Sequence, residues 1–410
     1  MWVTSVWRLM GLAGAALGLV ACEAGTGGPG GGDAFVVTAI GDVAFARNRV
    51  LTTAESPAAW ATYTDNLKPL VIGDANFLNL EGVVTETSLG PGRDKAFTFQ
   101  MHTTGLTHLV DDLGFNLMST ANNHSGDFGR AGQERTVEAL NSHGEALLHH
   151  GVGTTEAVSR AATGTIRGQA VALAAIGISS GAPRPTDDKP GQWNVNVAKH
   201  WTGTLDALAE SEAGFRVLST HEGVERLSTP EAGVKNRFRS AQKLADLDLI
   251  LAHHPHVPRG VEVDGQGRVI AYGLGNGLLH GAANLAGRGL MSDFGLMLRL
   301  YYAPGGGNGP RLEAVEAIPL TSVHYAPKPF SVDASAARIG ALNALSRSAG
   351  SERAMIFEPQ PETGFGLWCR DTIRTRQARA LCQAASAEEP AEEEDEPSSE
   401  EAAETSASSS

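Results

Sequence analysis

A chain of 410 residues, 42% hydrophobic and with 49 glycines, holds enough apolar material for a large buried core. Its formal net charge is −14, but residues 386–410 carry ten acidic side chains and no basic one, so the remainder is only about −4. No basic stripe runs along it, which argues against a nucleic-acid partner.

The first 22 residues read as a targeting segment. Arg8 supplies a positive flank, and residues 9–20 an apolar stretch too short to cross a bilayer core of about 30 Å as a helix. Leu19-Val20-Ala21-Cys22 resembles the bacterial lipobox, in which the cysteine is lipidated and becomes the mature N-terminus. The other reading is an ordinary cleaved signal peptide with an incidental cysteine. The lipobox reading makes the protein exported and lipid-anchored to the cell envelope. Glu23 after the cysteine favours the outer membrane or the periplasmic face. Residues 23–33, EAGTGGPGGGD, form a flexible linker spanning on the order of 15–20 Å. With Cys22 lipidated, Cys369 and Cys382 remain; they either close a local disulfide, which an oxidising compartment allows, or stay as buried thiols.

The folded domain is expected over residues 34–330. Residues 35–40 read as a strand running into Gly41-Asp42, and residues 57–70 as a helix. A second strand, 75–80, ends at Glu81-Gly82. Residues 103–113 have helical apolar spacing, 115–119 form a strand, and 120–126 a polar loop. A helix over 133–143 is stopped by Gly144, and 169–176 is a strand. After a helix at 199–209, the strand 215–220 ends at His221-Glu222-Gly223. A helix at 236–245 precedes the apolar strand 247–252. That strand runs into His253, His254 and His256, with Pro255 and Pro258 marking a loop. Residues 268–272 form a strand leading to Gly273-Leu274-Gly275-Asn276, and 295–302 and 311–320 a hairpin around Gly305-Gly306-Gly307. Residues 331–385 read as a C-terminal helical extension with one helix at 334–349, and residues 386–410 as a disordered acidic tail. Alternating strands and helices followed by a hairpin predict a layered α/β or α+β domain with a mixed sheet.

Five of these strands end in residues able to hold metal: Asp42, Glu81, Asn122-Asn123-His124, His221, and His253-His254-Pro255-His256. In open α/β sheets ligands sit beyond the carboxyl ends of the strands. Carboxylate, amide and imidazole ligands together suit Zn, Mn or Fe.

The same stretches resemble the bacterial capsule-synthesis CapA, or poly-gamma-glutamate synthesis, family of the calcineurin-like metallophosphoesterase superfamily. The matching residues are Gly41-Asp42-Val43 with Arg47, Asn79-Leu80-Glu81, Ala121-Asn122-Asn123-His124 with Asp127 and Gly129, His221 with Gly223 and Glu225, His253-His254-Pro255-His256, and Tyr272-Gly273-Leu274-Gly275-Asn276. They follow the family's order over about residues 35–280.

The resemblance implies an α/β four-layer αββα sandwich of the metallo-dependent phosphatase type, with one or two divalent ions at one edge. Carried over by position, Asp42 and His256 serve one metal, and Asn123, His221 and His254 a second. Glu81 stands where the superfamily has a bridging Asp, and His253 supports the ligands. His124 matches the histidine that protonates the leaving-group oxygen. Two metals about 3.5–4 Å apart clamp a phosphate and activate a water. Arg47 either contacts an anionic substrate or sits in an internal salt bridge. Asp127 either orients His124 or caps the helix starting near Ala131.

Ala44 stands where phosphatases of the superfamily have a histidine, so the first metal has one ligand fewer. Glu222 and Gly277 stand where the family usually has Trp and Phe. The function implied is that of an envelope lipoprotein in capsule, poly-gamma-glutamate or related exopolymer biosynthesis, acting as a metal-dependent, phosphoester-type hydrolase. The alternative is a non-catalytic metal- or polymer-binding accessory protein of a capsule assembly complex. The implied partners are an anionic or phosphorylated envelope substrate or polymer, a capsule synthesis or export complex, and the membrane through the lipid anchor.

Overall fold

The structure is a computed structural model that describes residues 33–45, 57–305 and 309–386. Cys22, Arg47, the linker before Asp33 and the acidic tail beyond Ser386 lie outside the described residues.

The chain lays down part of one sheet with β1 (Phe35–Phe45), α1 (Pro57–Thr64), β2 (Ala75–Leu80), α2 (Thr103–Thr107), β3 (Leu117–Ser119), α3 (Gly129–Asn141) and β4 (Leu148–His150). These four strands are parallel neighbours in chain order, so each connection must cross over, and helices fill the crossovers. A second sheet follows: β5 (Ala162–Ile166), β6 (Gln169–Gly177), α4 (Ala198–Ala209), β7 (Phe215–His221), α5 (Ala232–Leu244), β8 (Leu249–His253), β9 (Val261–Val263) and β10 (Val269–Ala271). Its order is β9-β10-β8-β7-β6-β5, parallel through its centre. The chain then returns to the first sheet through β11 (Asn276–His280), the hairpin β12 (Gly295–Ala303) and β13 (Arg311–Thr321), α6 (Val332–Gly350), β14 (Gly366–Cys369) and α7 (Arg376–Ser386). The first sheet runs β14-β13-β12-β1-β2-β3-β4, with β11 alongside the second half of β1.

Side-chain alternation produces four layers. Phe35, Val37 and Ala39 of β1 and Ala75 and Phe77 of β2 face Val171, Phe215, Val217, Leu249 and Leu251 of the second sheet in one buried cluster. On the outer face of the first sheet, Leu78, Leu80 and Met118 pack on Trp60, Leu106 and Leu140. On the outer face of the second, Leu218 and Ile250 pack on Leu205, Leu208 and Phe238. The result is the αββα sandwich that the resemblance implies.

Several segments depart from the sequence expectation. The helix expected over 57–70 ends at Thr64, and Lys68–Leu70 form a separate 3₁₀ turn around Pro69, which cannot donate to an α-helix. Residues 108–112 continue α2 as a π turn. Residues 276–280, to which the sequence reading assigns no element, pair in parallel with β1 as β11. β4, β5, β9 and β14 are short strands with too few residues to show a period, and α7 belongs to the helical extension expected over residues 331–385. The chain beyond residue 330 is built into the fold. α6 buries Ile339 and Leu342 in the inter-sheet core, β14 extends the first sheet beside β13, and a Cys369–Cys382 disulfide ties α7 to β14. No helix among the described residues is long and apolar enough to cross a membrane.

Phe215 of β7 makes edge contacts with Phe35 of β1 and Tyr302 of β12, with ring centroids 5.5 and 5.0 Å away, and so joins the two sheets. Phe215→Ala should destabilise the protein by about 3–5 kcal/mol. The measurement is the urea unfolding midpoint, and a midpoint equal to wild type would contradict this account of the core.

Candidate metal centre

The polar residues converge because the inner faces of both sheets run out of apolar side chains at the same end. On β2, Ala75 and Phe77 face inward, and the next residue of that face is Asn79. On β7 the face reads Phe215, Val217, Ser219, His221, and on β8 Leu249, Leu251, His253. β1 needs one more device. The register against β2 shifts between Ala39 and Asp42, which turns Asp42 onto the inner face and sends Val43 and Phe45 outward. At the shift Gly41 lies against the backbone of Gly275, where a Cβ would overlap the Gly275 carbonyl oxygen. The Asp42 amide donates to that oxygen at 3.0 Å. Asp42 is then in register with Asn79 of β2 on one side and Asn276 of β11 on the other.

Asp42 is fully buried and central. Asn79 Nδ2 donates to its Oδ1 at 2.8 Å, and the His254 amide to its Oδ2 at 3.4 Å. His256 Nδ1 lies 3.1 Å from Oδ2, and His253 Nδ1 and His221 Nδ1 lie 3.5 and 3.8 Å from Oδ1. Burial pushes the Asp42 carboxyl up, but the hydrogen bond from His256 and the histidines His221, His256 and His253 outweigh it and hold the group below its usual range.

Glu81, just past β2, is equally buried. Its Oε1 lies 3.5 Å from His221 Nε2, 3.8 Å from His124 Nε2 and 4.0 Å from His256 Nε2. Burial first, and then the Asp42 charge, push Glu81 up to about 8. His256 goes to about 10, because Glu81 and Asp42 overcome its burial. Burial pushes His253 and His254 down to about 4 and His221 well below its usual value. Asn123 Oδ1 stands 2.8 Å from His221 Nε2.

These residues fit a divalent cation. Both oxygens of Glu81, both ring nitrogens of His253 and Nδ1 of His254 are buried without a hydrogen-bond partner. Such orphaned groups are costly in a protein interior unless a partner of opposite character satisfies them. One ligand atom from each of Asp42, Glu81 and His256 lies within 4.8 Å of the others, and the same holds for Glu225, His254 and His256. The neutral state favoured at His253 and His254 leaves imidazole lone pairs free for coordination.

His124 stands at the edge of this cluster, stacked on Phe99 with ring centroids 3.9 Å apart. Its Nδ1 is 2.7 Å from Asp127 Oδ2, which turns Nε2 toward Glu81. Asp127 faces His124 and not the helix: α3 begins at Gly129 behind Phe128, with no side-chain cap. The Asp127 carboxylate is held by two further donors, the Phe99 amide at 2.8 Å and Lys95 Nζ at 2.6 Å. Lys95 also donates to the Asn123 carbonyl at 2.9 Å. Burial lowers the His124 pKa, and Asp127 opposes that shift.

The structure thus gathers Asp42, Glu81, Asn123, His124, Asp127, His221, His254 and His256 at one end of the sandwich; Arg47 lies outside the described residues. Four participants had no role assigned from sequence. Asn79 holds Asp42, Asn276 Oδ1 lies 2.9 Å from His256 Nδ1, Lys95 holds Asp127, and Glu225 faces His254 and His256. Asn79, Glu225 and Asn276 fall inside the motif stretches, so position was their signal. Lys95 lies in a Gly- and charge-rich loop with no period, and only the fold brings it in.

Residues 36–280 match the family described as bacterial capsule synthesis protein PGA_cap. The capsule biosynthesis protein CapA of Bacillus anthracis is 30% identical over 176 residues, which is 41% of this chain and 41% of that protein. The PGA biosynthesis protein CapA of Bacillus subtilis strain 168 is 26% identical over 208 residues, 48% of this chain and 51% of that one. The chain therefore spans about half the length, or less, of these curated relatives. Among solved structures, the calcineurin-like phosphoesterase YfkN from Bacillus subtilis overlays with a TM-score of 0.36 at 11% identity, covering 77% of this chain and 98% of that one. The family match, not that likeness, carries the assignment.

A cation entering this cluster competes with protons, because burial and the Asp42 charge push Glu81 up and the two carboxylates push His256 up. Zn²⁺ or Mn²⁺ at 100 times its Kd should add about 2.7 kcal/mol of stability. At fixed metal concentration, the rise in Tm over a chelator-treated control should grow from pH 6 to pH 9. Asp42→Asn should shrink it. An equal rise at both pH values would show that the ion binds elsewhere.

Proposed function

This chain belongs to the bacterial capsule synthesis protein family, and on that premise we propose that it is a metal-dependent hydrolase of the phosphoester type, acting in the biosynthesis of capsule, poly-gamma-glutamate or a related envelope exopolymer. The observation that carries this reading is Glu81, whose two buried carboxylate oxygens have no hydrogen-bond partner although three imidazoles surround them. One or two divalent ions of the Mn, Zn or Fe type, held by Asp42, Glu81 and His256 and by Asn123, His221 and His254, would supply charge to bind an anionic group and lower the pKa of a water.

The chain's own residues account for proton handling. Asp127 accepts the Nδ1 proton of His124, so the neutral ring presents its Nε2 lone pair to the cluster. A proton taken up at Nε2 is balanced by the Asp127 carboxylate and can pass to a leaving oxygen. Lys95 and the Phe99 amide fix Asp127, and Phe99 stacks on the imidazole, so the ring has one productive orientation. The substrate proposed is an anionic or phosphorylated envelope molecule or polymer. Cys22 would carry the lipid that anchors the protein on the outside of the cytoplasmic membrane or at the outer membrane, within reach of a capsule synthesis or export complex.

A second reading, a non-catalytic metal- or polymer-binding accessory protein, is favoured by Ala44, a buried methyl group where a superfamily phosphatase has a ligand. The two readings separate on His124→Ala. The hydrolase reading expects metal content equal to wild type and turnover of a phosphodiester or phosphomonoester reduced by about 10²–10⁴-fold. Undiminished turnover in this variant would remove His124 from the reaction. No turnover by the metal-loaded wild type on any phosphoester would leave the accessory reading.

A further inference from the structure

The loop after β7 carries a ligand group that the positional match does not assign. Glu225 stands four residues beyond His221 and is exposed, yet a carboxylate oxygen of it lies within 4.8 Å of a ring nitrogen of both His254 and His256. Among the described residues, no cation side chain or hydrogen-bond donor is paired with its carboxylate. The loop is held firmly on both sides of it. The Glu222 amide donates to the His253 carbonyl at 3.1 Å, and the Arg226 amide to the Pro255 carbonyl at 2.8 Å. From below, the fully buried Arg259 donates to the carbonyls of Leu227 at 2.8 Å and Val224 at 3.2 Å, and to Glu231 at 3.0 Å. Each side of Glu225 is thus bonded, directly or through Arg259, to the segment that bears the histidines.

His254 and His256 are themselves in left-handed backbone, at φ 93° and 56°. Left-handed conformation at a non-glycine residue is unfavourable and persists where surrounding structure enforces it. Here the enforcing bonds include the one from Arg226 to Pro255, next to Glu225. Nδ1 of His254 is buried with no hydrogen-bond partner.

We propose that Glu225 is a further metal ligand on the solvent side of this centre, acting with His254 and His256 beside the buried group of Asp42, Glu81 and His256. This rests on the metal-centre reading above. Two imidazoles and one carboxylate on one side of an ion leave its other positions open to water or an anionic substrate. Glu225 is the exposed member of the set, so the open side is the side of the β7 loop.

The test uses the chain without a histidine tag, stripped of metal by chelator, in wild-type, Glu225→Gln and Asp42→Asn forms. Zn²⁺ affinity is measured by competition with a chromophoric chelator, and Co²⁺ is added to read the ligand field from its visible absorption. Glu225→Gln keeps the side-chain volume, so its Tm in chelator should equal wild type. Its Zn²⁺ affinity for at least one ion should fall by about 10-fold or more, and its Co²⁺ spectrum should differ from wild type. Wild-type affinity and an unchanged Co²⁺ spectrum in Glu225→Gln, with Asp42→Asn impaired, would overturn the role of Glu225 and leave the buried centre standing. Absence of Zn²⁺ and Co²⁺ binding by the wild type would overturn both.

Discussion

The centre is arranged around a buried carboxylate at a seam. Asp42 sits where β1 leaves its antiparallel partner β12 and takes β11 as a parallel one. The bulge at that seam turns its side chain into the space between the sheets. An ionised carboxylate without partners there would cost several kcal/mol. It is tolerated because Asn79 of the first sheet, the His254 amide of the second and His256 all face it. One side chain thus links the carboxyl ends of both sheets.

The charge balance of this cluster explains why it suits a cation. Two carboxylates, Asp42 and Glu81, share a volume with imidazoles that burial keeps neutral, apart from His256. Within the protein alone the conflict is met by protons on Glu81 and His256. A divalent ion would meet it with charge and with directional bonds to the orphaned oxygens of Glu81, and protons do only the first. The neutral amides Asn79, Asn123 and Asn276 position the charged groups without adding to the negative charge.

Around the centre, two cationic side chains hold the loops in place. Lys95 joins the loop before Phe99 to Asp127 and the Asn123 carbonyl, so the residue that orients His124 is fixed from behind. Arg259 does the same for the β7 loop through two backbone carbonyls and Glu231. Arg259 works as a planar fork of donors and Lys95 as a compact ammonium, and each joins loop carbonyls to a carboxylate. The sandwich supplies the strand ends, and these clamps decide where the loops beyond them can go.

The sequence by itself determined the layered α/β class, the order of the main strands, and the polar residues at strand ends that family position singles out. These are legible because strand alternation and terminal polar residues are local patterns, and because residues such as Asp42, His221 and His256 fall in short motifs. Only the tertiary structure decided the rest. The flip of inner and outer faces along β1 depends on the bulge near Gly41, and that bulge depends on Gly275, more than 200 residues away. β11 is a strand because β1 offers it an edge, not because NGLLH alternates strongly. Lys95 and Arg259 enter through contacts between loops, and loops have no periodicity from which a partner can be read. The facing of Asp127 toward His124 and the pairing of Cys369 with Cys382 were each one of two local options, and packing in three dimensions chose between them.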